Sequence, residues 1–177
     1  MDLHDEFEVR LPVAEAWTVL TNIEKITPFL PGIWLQEVEG EKYLGVVKVK
    51  VGPVTVWYEG IARYLLLDAD ARKAVLKAEG GEIHGQGKGT AVVTATLSPS
   101  ARGTRVQVVT VLSVDGRLAQ FAKGVIAAVS RSLIAEFAEN LELTVLAAPR
   151  ATTAQPVVGT ETGEGANKAH AEPSPRT

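Results

Sequence analysis

RLAQFAKGVIAAVSRSLIAEFAENLELTVL, residues 117–146, is the stretch on which the fold turns. Leu118, Phe121, Ala122, Val125, Ile126, Val129, Leu133, Ile134, Phe137 and Leu141 recur at the spacing of one α-helical face, and Lys123, Arg131, Glu136 and Glu139 take the other side. At 1.5 Å per residue, a helix from Arg117 to Leu146 is roughly 45 Å long. An apolar stripe of that length has to be buried against a large partner.

The residues before it supply one. Ile33–Glu39, Lys42–Val51, Val54–Leu67, Lys73–Glu82, Gly87–Leu97 and Arg105–Val114 are rich in Val, Thr and Ile, and short runs of turn residues separate them, among them Gly52-Pro53 and a glycine-rich loop at 80–87. Connections that short predict an antiparallel meander, and the lack of a helical window between the strands argues against βαβ units. Ahead of them Leu3, Asp5, Phe7 and Val9 alternate with His4, Glu6, Glu8 and Arg10, which reads as an edge strand. Pro12 opens a helix over Val13 to Asn22, with Ala16, Trp17 and Leu20 on one face. A second short helix, Glu24 to Leu30, is interrupted by Pro28 and stopped by Pro31-Gly32.

The predicted class is α+β: a curved antiparallel sheet of about seven strands wrapped around a long C-terminal helix, with two short helices after the first strand. The domain spans 1–147. Residues 148–177 contain no aromatic side chain and few large aliphatic ones, and they are predicted to be a disordered tail.

Composition narrows the function classes. The chain has 177 residues and a net charge of -3, so no overall basic field draws in nucleic acid. Cysteine is absent, which removes disulfides, thiolate metal sites and a cysteine nucleophile. The acidic N-terminus does not read as a signal peptide, and no apolar run reaches the length of about 18 residues that a spanning helix needs. The expected location is cytoplasmic, at most at the inner face of the cell membrane, with any membrane contact peripheral. His4, His84 and His170 are too scattered for a metal site. Gly85-Gln-Gly87-Lys-Gly89-Thr90 lacks the spacing of a phosphate loop and leads into a strand. Ser130 and Ser132 have no histidine placed to activate them, and Glu79 and Glu82 are expected to face water. No catalytic residue and no metal are predicted.

Excluding charged positions assigns the inner face of the sheet. Glu59 and Arg63 point outward, which leaves Val56, Tyr58, Gly60, Ala62 and Tyr64 inside. Lys88 and the threonines at 90, 94 and 96 leave Gly89, Ala91, Val93, Ala95 and Leu97 inside; Lys48 and Lys50 leave Gly45, Val47 and Val49. Small residues therefore crowd the middle of a face opposed by Phe and branched aliphatics. Two arrangements satisfy this pattern: close approach of helix and sheet, or an apolar cavity, which native packing tolerates when a guest fills it. For the cavity, the predicted lining is Trp17, Phe29, Leu30, Trp34, Tyr58, Ala62, Ala91, Val93, Ala95, Phe121, Val125 and Val129. Phe29, Leu30, Ile33 and Trp34 lie where a lid or a membrane-facing tip belongs. His84 is the candidate contact for a polar head group.

This order of elements resembles the helix-grip fold of the START-like (SRPBCC) superfamily. Four segments, Pro31-Gly32, Lys48-Val-Lys-Val-Gly-Pro53 followed by Tyr58-Glu-Gly60, Gly87-Lys-Gly89-Thr-Ala91 and Gly116-Arg-Leu-Ala-Gln-Phe121, are similar to those of the carbon monoxide dehydrogenase G-subunit family over about residues 1–147. The resemblance favours the cavity. It implies a non-enzymatic accessory protein of a molybdenum-containing carbon monoxide dehydrogenase. Such a protein would bind a hydrophobic small molecule without covalent attachment, an isoprenoid quinone (menaquinone or ubiquinone), and link the enzyme to the respiratory membrane. The alternatives are an assembly or membrane-docking subunit with a filled core and no ligand, and a cyclase-type enzyme. The last needs inward acid–base groups, and the inner face holds only Tyr58 and Tyr64.

Overall fold

Alternation and turn chemistry place the strands much as the sequence predicts. In a computed structural model that describes residues 1–147, β1 (Asp2–Val9) leads through Pro12 into α1 (Val13–Leu20) and α2 (Ile23–Ile26). Six strands follow: β2 (Ile33–Glu39), β3 (Lys42–Val51), β4 (Val54–Asp68), β5 (Lys73–Glu82), β6 (Lys88–Ser100) and β7 (Gly103–Val114), and then α3 (Lys123–Ala147). The expected tail, 148–177, lies outside the described residues. The sheet order is β1-β7-β6-β5-β4-β3-β2, antiparallel at every step.

Two helix boundaries differ from expectation. Pro28 brings no N–H to the second short helix, so regular α-structure stops at Ile26 and continues as a 3₁₀ turn over Thr27–Phe29. The long helix begins at Lys123 rather than Arg117. Residues Gly116–Gln120 form a separate 3₁₀ turn whose Arg117 N–H donates to Glu82 Oε1 at 3.3 Å, and Phe121 is extended. That tie to the end of β5 holds the chain out of helical phase for one more turn.

The helix is fastened to the sheet at named points. Phe137 meets Phe7 edge-on, with ring centroids 5.7 Å apart. Ser130 Oγ donates to Asp5 Oδ2 at 2.7 Å, and Asn140 Nδ2 donates to the Phe29 carbonyl at 3.2 Å. The hydroxyl of the fully buried Thr104 donates to the Leu11 carbonyl at 2.7 Å, joining β7 to the β1–α1 corner. Thr104→Val keeps the shape and strips that carbonyl of its partner, so urea denaturation should show a loss of about 1–3 kcal/mol.

The apolar interior is divided. One cluster gathers Val9, Leu11, Ala16, Trp17, Ala74, Leu97, Val106, Val108, Phe137 and Leu141. A second gathers Val51, Val56, Tyr58 and Leu118, with Val47, Val49, Phe121 and Val129 packed against it. The two share no member.

Candidate functional site

Strand register decides what lies between the clusters. Gly45 pairs with Gly60, Gly60 with Gly80 and Gly80 with Gly89, so four glycines form one row across β3, β4, β5 and β6. Beside it runs a row of alanines, Ala62, Ala78 and Ala91. Both rows are on the face that carries Tyr58 and Val56, toward α3, and all seven residues are partly exposed. Two of the glycines are there for curvature. A Cβ on Gly60 would run into the Glu79 carbonyl oxygen, and one on Gly45 would lie 2.6 Å from the Trp34 carbonyl oxygen. The bend of the sheet brings backbones closer than any side chain allows. The interior is therefore two packed ends with a belt of small residues between them.

The predicted lining residues distribute around this belt. Trp17, Phe29, Leu30, Val93 and Ala95 belong to or pack on the first cluster, and Tyr58, Phe121 and Val129 to or on the second. Ala62 and Ala91 sit in the belt itself. Two of the expected lining residues do not join them. Trp34 pairs with Val46 and Val46 with Glu59, which puts it on the convex face, 49% exposed and stacked on Trp57 at 5.5 Å. The Lys48 ammonium lies 5.4 Å from the Trp57 ring centroid on that same face. Val125 is 45% exposed. With the helix starting at Lys123, Ile126 and Val129 face inward, and Val125, one residue before Ile126, falls on its flank.

The belt has a polar end. Along the inner face of β5 the residues are Ala74, Leu76, Ala78, Gly80 and Glu82, apolar groups that shrink to glycine and end in a carboxylate. Glu82 does not face water as its charge suggests; its side chain is 2% exposed. Arg117 donates to it from its backbone N–H and from Nε, the latter at 3.4 Å. Gly85, Gly87 and Gly116 surround the carboxylate so closely that a Cβ on any of them would collide with it. Around this group opens a cleft of about 580 Å³ lined by Glu82, His84, Gly87, Asp115, Arg117 and Gln120, among others. His84, the expected head-group contact, is thus an exposed residue at the rim of a polar cleft. Sequence reasoning does not single out Glu82, Asp115 and Arg117 as site residues; only the spacing of the glycines around them hints at a tightly enclosed group.

Two inward tyrosines mark the belt's ends. Burial and the nearby Tyr43 push the Tyr64 hydroxyl up to about 12, and that hydroxyl donates to the Thr21 carbonyl at 3.1 Å. Tyr58 lies opposite Glu82 in the sheet, and burial, together with the charges of Glu82 and Asp115, raises its pKa as well. Its hydroxyl is enclosed and has no hydrogen-bond partner among the described residues. A partly exposed belt of small residues beside an unpartnered phenol offers surface suited to a mostly hydrophobic molecule that carries an oxygen.

The sequence model of the carbon monoxide dehydrogenase G-subunit family (CoxG) matches residues 6–146. The chain belongs to that family. The CoxG fold, in this member, is a seven-strand sheet closed by a C-terminal helix, and solved structures share that architecture. They include a conserved protein from Geobacillus kaustophilus (TM-score 0.71, 18% identity, covering 82% of this chain and 95% of that one). A protein from Thermus thermophilus is also similar (0.59, 14%, 81% and 99%), as is Ara h 8.0201 (0.52, 15%, 82% and 97%). At such identities the likeness shows the fold alone, the helix-grip architecture. No curated protein matches the chain in sequence.

Proposed function

We propose that this CoxG-family chain is a non-catalytic accessory protein of a molybdenum-containing carbon monoxide dehydrogenase that carries an isoprenoid quinone between the enzyme and the respiratory membrane. The observation that carries this reading is the belt: inward-facing glycines and alanines, partly exposed, between two separately packed clusters. Exposed apolar surface inside a fold costs about 25 cal/mol for each Å² left in contact with water, and a hydrophobic guest recovers it. A chain of isoprene units suits a trough walled by Val93, Val129 and Phe121, and a quinone ring brings the carbonyl oxygens that the polar end can meet. Menaquinone and ubiquinone both fit this chemistry. Family membership supports the partner enzyme, and it supports placing the redox chemistry there rather than in this chain. Among the described residues no helix is long and apolar enough to cross a membrane, so the membrane contact in this reading is peripheral.

Native mass spectrometry of gently purified protein should show a lipid-soluble mass released by organic extraction and identified as a quinone. Protein that carries nothing extractable, and that fails to bind a short-chain quinone on titration, would remove the ligand from this reading and leave a docking subunit.

A further inference from the structure

We infer that the Tyr58 hydroxyl is the polar recognition point of the concave site, donating a hydrogen bond to a carbonyl oxygen of the guest. This rests on the reading that the belt binds an apolar molecule, and it names the chemistry by which that molecule is held in register.

The argument starts from an imbalance. Tyr58 is 9% exposed, its ring packed with Val51, Val56 and Leu118, and its hydroxyl oxygen is enclosed without a partner among the described residues. A buried polar group left unpaired costs free energy, and folded proteins leave few such groups without a reason. Neither neighbouring carboxylate takes a hydrogen bond from the Tyr58 hydroxyl. Glu82 accepts from Arg117 twice, and Asp115 Oδ1 accepts from the Lys88 N–H. Burial and the two carboxylates hold the phenol in its protonated form, so it remains a donor at neutral pH. A phenol that stays protonated and has no acceptor of its own is free to donate to a ketone or quinone carbonyl.

Position agrees with this. Tyr58 stands beside Gly60 and opposite Glu82, and its ring lies 3.7 Å from where a Cβ on Gly89 would be. The hydroxyl is thus at the junction of the glycine row with the polar end. A guest whose tail lies along Ala62, Ala78 and Ala91 would bring its head group to this corner, and the packing around the enclosed hydroxyl has to open for the two to meet. His84 is exposed and lines the cleft around Glu82.

The test compares full-length wild type with Tyr58→Phe, which keeps the ring and removes only the oxygen. Each protein is titrated with a decyl-substituted 1,4-benzoquinone and with decylbenzene, which has the same tail and no carbonyl, and binding is read from tryptophan fluorescence. Tyr58→Phe should weaken the quinone about tenfold, the worth of one hydrogen bond, and change decylbenzene less than twofold. The unliganded variant should melt no lower than wild type, since an unsatisfied hydroxyl has been removed. Unchanged quinone affinity overturns the inference and assigns the hydroxyl a buried water or no partner. An equal loss for both probes overturns it too, because the ring's packing is then what matters. If wild type binds neither probe, the ligand reading itself falls, a result distinct from either of these.

Discussion

Gly60→Ala is expected to destabilise the fold by roughly 3–5 kcal/mol, the range of severe single substitutions. The new methyl group has nowhere to go. It meets the Glu79 carbonyl oxygen and, at 2.8 Å, the Gly80 Cα, both main-chain atoms of the neighbouring strand. A clash with a flexible side chain is relieved by a rotamer change, but here β4 and β5 have to separate or flatten, which strains the ladder on both sides. Total stabilities of natural domains are about 5–15 kcal/mol, so this one methyl group removes a large part of the reserve. Gly124→Ala gives the opposite sign. Nothing lies within 4 Å of a Cβ there, and the position is in the first turn of α3, so alanine should stabilise by up to about 1 kcal/mol. Urea melts of the two variants side by side separate steric cost from glycine's entropic cost.

Ala91→Phe is expected to abolish ligand binding, by about 100-fold or more, while leaving the fold standing. Ala91 pairs with Ala78 on one side and Leu112 on the other, all partly exposed, so a phenyl ring there occupies the belt instead of displacing packed atoms. The ring takes the place of the guest and buries the surface the guest would have covered. A hundredfold loss corresponds to about 2.7 kcal/mol. The melting temperature should hold or rise. If the variant instead loses about 1–3 kcal/mol of stability, the cost of an overpacked core, the belt is already filled by the chain itself. A variant that folds, fails to bind quinone and still associates with the enzyme would separate carriage of the ligand from docking.

Much of this is legible in the residues. Strand limits fall within a few positions of expectation because alternation and turn residues are local signals. The inward assignment of β4 and β6 follows from the alternation of charged and polar positions, since Glu59, Arg63 and Lys88 are exposed, and the structure places Tyr58, Ala62, Ala91 and Val93 on the opposite face. The family is legible from four short segments, and the family match spans residues 6–146.

What tertiary structure alone decided was everything that depends on register and on distant partners. No local pattern says that Gly45, Gly60, Gly80 and Gly89 stand in one row, because the row exists only once four strands are paired. Trp34 reads as part of a lid from its apolar neighbours; pairing with Val46 turns it to the convex face, because a strand's side chains alternate and one residue of register exchanges the faces. Glu82 reads as solvated because a carboxylate usually is, and its burial is made possible by an arginine 35 residues away and three glycines that leave it room. Sequence thus determined which elements form and which faces are apolar, through forces acting over a few residues. The row of small residues and the buried carboxylate at its end arise from the pairing and curvature that bring distant strands together.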